Sequence, residues 1–99
     1  LLTASGSCGV AGNNLIITPS AGKVLRLSYL AYNPSAATEC AWRFGSSGTI
    51  FLRSSLTAGA IVAKDFGDMR YLEGLVDEPL FLNLSLAVVT IWNCFYVEV

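Results

Sequence analysis

The chain has no histidine and little charge of either sign. Six Lys and Arg and seven Asp and Glu make up 13% of its 99 residues, about half of the ~25% usual in a globular domain. Without imidazole, neither a Ser-His-Asp nor a Cys-His arrangement can be assembled, and the commonest metal-binding side chain is missing. The cations Lys23, Arg26, Arg43, Arg53, Lys64 and Arg70 form no basic run, which argues against a nucleic-acid partner and against polybasic attachment to a membrane surface. Cysteines are few and odd in number: Cys8, Cys40 and Cys94. No closed disulfide framework follows, and no pair has metal-ligand spacing. They are expected as small, mostly buried hydrophobes, with a single bond between two of them as the alternative. Phosphate-binding signatures are missing too, because the Gly-rich GSCGVAG has neither the spacing nor the following helix. LLTASGSCGV lacks a charged n-region and a long apolar core, so it is not read as a signal peptide. The expectation is no enzyme, no cofactor, no metal and no small-molecule substrate.

What the chain does have is apolar surface, at 54% of residues. Its length suits one domain with a modest core. A small domain this short of charge must bury the excess against neighbouring chains or place it in a bilayer. The closing twenty residues, LFLNLSLAVVTIWNCFYVEV, bring the choice to a point, because they could cross a membrane as a helix. Their pattern is wrong for that. Leu80, Leu82, Leu84 and Leu86 alternate with Phe81, Asn83, Ser85 and Ala87, which is strand periodicity. Further on, Val89, Ile91, Asn93, Phe95, Val97 and Val99 share one face, and Thr90, Trp92, Cys94, Tyr96 and Glu98 the other. Asp77 and Glu78 precede the stretch, where a membrane helix would prefer basic flanks. Two antiparallel strands joined near Ala87-Val88 are expected, by a turn, a bulge or a longer connection. Trp92, Cys94 and Tyr96 then need cover from another layer of the same sandwich, from the N-terminal arm or from another subunit. With Leu1 and Leu2 they are the candidate interface residues.

Other stretches alternate in the same way. KVLRLSYLAY puts Leu25, Leu27, Tyr29 and Ala31 on one face and Arg26, Ser28, Leu30 and Tyr32 on the other. TECAWRFG puts Thr38, Cys40, Trp42 and Phe44 together. LIIT, TIFLRSS and AIVAKDF read as further strands, and turn signals recur about every ten residues. MRYLEGL is expected as one helical turn or an irregular edge. No helix of three turns is expected. The fold class is therefore all-β: a small antiparallel, jelly-roll-like β-sandwich of about seven or eight strands. Residues 1–14, broken by Gly6, Gly9, Gly12 and Asn13-Asn14, are expected as a flexible arm ahead of a single domain over 15–99.

Three features invite a chemical reading. Asp65, Asp68, Glu73, Asp77 and Glu78 fall within fourteen residues and could supply oxygen ligands to Ca²⁺ or a carboxylate pair for glycoside hydrolysis. Their spacing matches no EF-hand loop, and Lys64 and Arg70 sit among them, so a rim of local ion pairs is expected. Asn83-Leu84-Ser85 matches a glycosylation sequon but lies in an expected strand. Tyr29, Tyr32, Trp42, Trp92 and Tyr96 could line a sugar platform, though strand aromatics more often serve a core or an interface.

Over residues 15–99, SAGKVLRLSYLAY, FGSSGT and PLFLNLSLAVVTIWNCFYVEV together resemble small all-β proteins of tailed-phage structural gene clusters. Those start a strand after A-G-K, carry an alternating-leucine strand and finish on Y-v-e-v. The resemblance implies a capsid decoration or cement protein, trimeric, bound to the major capsid protein on the outer surface of the virion. Cys40 and Cys94 stand where that family has small or β-branched residues, and the acidic loop is more acidic than expected. A carbohydrate- or receptor-binding module of a phage tail or fibre is the alternative.

Overall fold

A computed structural model of the chain describes residues 1–66 and 72–99. Nine strands and no helix lie among them: β1 Leu2–Cys8, β2 Gly12–Ile17, β3 Leu25–Pro34, β4 Thr38–Phe44, β5 Ile50–Leu56, β6 Val62–Asp65, β7 Leu72–Glu73, β8 Leu80–Leu84 and β9 Thr90–Glu98. One sheet runs β1-β9-β3-β6, with β7 also on β3, and the other runs β2-β8-β4-β5. All pairings are antiparallel. Strands β1 to β4 thus pair in reverse order with β9, β8, β6 and β5. The chain is a long antiparallel ribbon, closed at the β4–β5 turn and wound into two sheets, which is the jelly-roll arrangement.

Alternation carries the core. On β4, Thr38, Cys40, Trp42 and Phe44 are buried, and on β8, Leu80, Leu82 and Leu84 are buried. From the other sheet, Leu25, Leu27, Leu30, Tyr32, Trp92 and Cys94 meet them. Strand β3 does not keep a single dry face. Its buried positions are Leu25 and Leu27, then Leu30 and Tyr32. The change of phase comes from a bulge, where the register against β9 slips between Leu27 and Tyr29. One extra residue, Ser28, turns every later side chain to the opposite face.

Two other expectations are corrected. Residues 1–14 are not an arm: β1 pairs with β9 over seven residues, and β2 starts at Gly12 and pairs with β8. Small residues are admitted at β1 because Trp92 needs the room. A Cβ on Gly6 would lie 3.1 Å from the Trp92 ring. The closing strands are not a paired hairpin either. Residues 85–89 carry the chain from β8 in one sheet to β9 in the other. Of MRYLEGL, Leu72 and Glu73 form the short edge strand β7, and 69–71 lie outside the described residues. Among those described, no helix is long and apolar enough to cross a membrane.

Candidate interaction surface

Twelve of the thirteen charged residues lie between Lys23 and Glu78, and Glu98 is the exception. Residues 1–22 and 79–97 carry no charge at all. The topology gathers those two segments on one side of the sandwich, because β1 pairs with β9 and β2 with β8. From Cys8 to Gly12 the chain has four Cα steps, a reach of about 14 Å at most, little more than the ~10 Å between packed sheets. The link therefore stacks the β1 edge over the β2 edge. Of the twelve exposed large apolar residues among those described, eight belong to 1–22 or 79–97, so shortage of charge and excess of apolar surface coincide. Val10, Leu15, Leu86, Val89 and Ile91 are each more than half exposed.

The outer face of the β1-β9-β3-β6 sheet adds a second feature. Cross-strand pairing sets Asn93 between Ser5 and Ala31, and Ile91 between Ser7 and Asn33. The short side chains leave a groove of about 590 Å³ between strands, bounded also by Ile61. Next to it, Tyr29 and Phe95 stack with centroids 5.2 Å apart. Among the described residues, no charged side chain lines the groove.

No protein-family model matches this chain, and no curated protein is similar to it. The surface has to be read from its own residues.

The five residues anticipated as an interface separate. Leu1 and Leu2 are exposed, at 81% and 45%, and Leu2 opens the edge strand β1. Tyr96 is partly buried against the core, whereas Trp92 and Cys94 lie inside it. The layer that covers Trp92 and Cys94 is the second sheet of the same chain, so neither has surface to give a partner. The opposite side of β9 faces outward, with Ile91, Asn93 and Phe95. The aromatic set divides in the same way: Tyr32, Trp42 and Trp92 are buried, and Tyr29 remains on the outer face.

The acids serve locally. Glu73 pairs with Arg26 at 2.7 Å. Asp77 accepts the Gly22 N–H at 2.6 Å and sits at φ 61°, a left-handed turn position that Asp tolerates better than most residues. Glu78 accepts the Leu75 N–H at 3.0 Å. Asp68 lies outside the described residues. Among those described, no group of three His, Cys, Asp or Glu could hold a metal ion. Asn83 lies in β8 and donates to the Asn13 carboxamide oxygen at 2.9 Å, so the sequon's amide is held between neighbouring strands.

The three thiols are free. Burial pushes Cys40 and Cys94 up to about 11 and raises Cys8 as well. At neutral pH they are protonated, and a protonated thiol is a weak nucleophile.

Proposed function

We propose that the protein is a non-enzymatic structural component of a virion. It would act as a decoration protein that binds the major capsid protein on the outside of a phage head and stabilises the shell, as a trimer. The observation that carries this reading is the one-sided distribution of charge. A lone soluble domain spreads its charges and rarely exposes large contiguous apolar patches, whereas an assembly subunit places apolar surface where other chains cover it. The jelly roll is compatible with that role, being common among capsid and lectin domains, though fold alone does not assign function. Repetition over many shell sites would add avidity to a modest single contact. The test is co-sedimentation with purified phage heads. Saturable binding that raises the temperature at which heads lose their DNA is expected. A protein left wholly in the supernatant, with heads no more stable, would overturn the reading.

The groove favours a second reading, a carbohydrate- or receptor-binding module. Two carboxamides, two hydroxyls and flanking isoleucines suit a neutral polyhydroxy ligand. Glycan-array binding that Asn93→Ala abolishes would support it, and an array with no signal would remove it.

A further inference from the structure

The two sides of the sandwich finish their sheet edges differently. On one side, β5 carries Arg53, and β6 carries Lys64 and Asp65. Charged edge strands of this kind resist pairing with another chain. On the other side, β1 is LTASGSC and β2 is GNNLII. Neither carries a charge or a proline. The β1 register against β9 is unbroken over seven residue pairs, so no bulge turns that edge away, while β2 has a single irregularity between Leu15 and Ile17. Among the described residues, β1 pairs only with β9 and β2 only with β8. Both present open backbone donors and acceptors, and exposed Leu2, Val10 and Leu15 lie around them.

We propose that this side is where copies of the chain join, with the open β1 edge at the centre of the contact. The argument for a second copy has three parts. A surface free of charge is best covered by another surface free of charge, since no ion then loses its water, and the chain's own β1/β2 side is such a surface. An open strand edge is completed by another open edge, and each copy brings two of them stacked together. The size also fits. The domain measures 35 × 25 × 21 Å, so its sides span roughly 500–900 Å², a range that includes the ~800 Å² per partner of a standard stable interface. The inference deepens the decoration reading by naming what meets this side, and it is tested on the protein alone.

The experiment is size-exclusion chromatography with light scattering over a wide concentration range. The wild type is expected at twice the 10.5 kDa chain mass or a higher whole-number multiple. The double variant Val10→Lys/Leu15→Lys changes two side chains that stand in solvent in a single copy, so it should keep a β-rich circular dichroism spectrum and fall to monomer mass. Ser5→Lys, which puts a charge on the β1 edge, should do the same. Leu75→Lys/Val76→Lys, outside the charge-free segments and the groove, should leave the mass unchanged. A wild type that stays monomeric at every concentration overturns the proposal. So does an oligomer that survives the Val10/Leu15 pair, or one that only the Leu75/Val76 pair dissolves. A monomer that still binds heads sinks this inference and the trimer, and leaves capsid binding standing. An oligomer that ignores heads does the reverse.

Discussion

Strands β3 to β7 and their loops hold twelve charged residues, whereas β1, β2, β8, β9 and the connections outside that span hold only Glu98. Inside, the two halves are alike. Trp42 on β4 and Trp92 on β9 are both buried, as are Cys40 and Cys94. Each half also sets a glycine against an aromatic ring: a Cβ on Gly6 would come within 3.1 Å of Trp92, and one on Gly74 within 2.8 Å of Phe44. Outside, one half pairs its charges locally, as Arg26 with Glu73 and Arg53 with Glu39, and the other leaves aliphatic side chains in the open. The contrast teaches that the core of this domain is complete within one copy, while its exterior is divided between a charged and an uncharged side. The shared interior carries stability, and on our proposal the uncharged side carries association.

The largest effects are expected in the interior. Trp42→Ala and Trp92→Ala should each cost about 3–5 kcal/mol, measured by denaturant unfolding, and the two should be similar. A cost under ~1 kcal/mol at either site would mean that its half is not packed. Trp92→Phe should be milder, because the indole N–H is buried with no hydrogen-bond partner among the described residues, and its removal offsets part of the lost volume.

Next come the glycines. Gly6→Ala and Gly74→Ala should each destabilise by about 1–3 kcal/mol through overpacking, Gly74 more because its approach is closer. Equal melting temperatures for both variants and the wild type would show that the rings move aside freely.

The thiols give a pH test that should be the same in both halves. Their folded values lie above the ordinary 9.0, at about 11 for Cys40 and Cys94. The unfolded chain therefore releases these protons first as pH rises. Their contribution is fully present below about pH 9 and is lost as the pH climbs through about 11. The melting temperature should fall across that window, and less steeply in Cys94→Ala. A profile that Cys94→Ala leaves equally steep would contradict the buried thiol. Smallest of all, Arg26→Ala should cost less than ~1 kcal/mol, because both partners in its ion pair with Glu73 are substantially solvated. A loss of several kcal/mol would mean that the charged half depends on that pair for its fold.

Much of the fold was legible from alternation alone. Thr38, Cys40, Trp42 and Phe44 point inward together, and so do Leu80, Leu82 and Leu84, because a strand with one covered face leaves a period of two. The break in β3 was present in the sequence as two apolar pairs out of phase, Leu25 with Leu27 and Leu30 with Tyr32. A simple period reads them as two competing faces, and only the bulge makes them one. The β1 strand was hidden because Thr, Ala, Ser and Gly give no hydrophobic rhythm, and its partner lies roughly eighty to ninety-five residues further along the chain. For the surface, the overall shortage of charge was plain. Its one-sidedness was not, because only the pairing of β1 with β9 and β2 with β8 brings the charge-free ends together. The inward turn of Trp92 and Cys94 was obscured for a related reason: both faces of β9 are apolar, so alternation could not say which one the second sheet covers.

The most direct test of the divided exterior is amide hydrogen exchange, followed segment by segment at high and low protein concentration. The account predicts that raising the concentration slows exchange in β1 and β2, above all across Leu2–Cys8, while β5 and β6 exchange at the same rate throughout. Slowing confined to β5 and β6, or no segment responding to concentration, would contradict it.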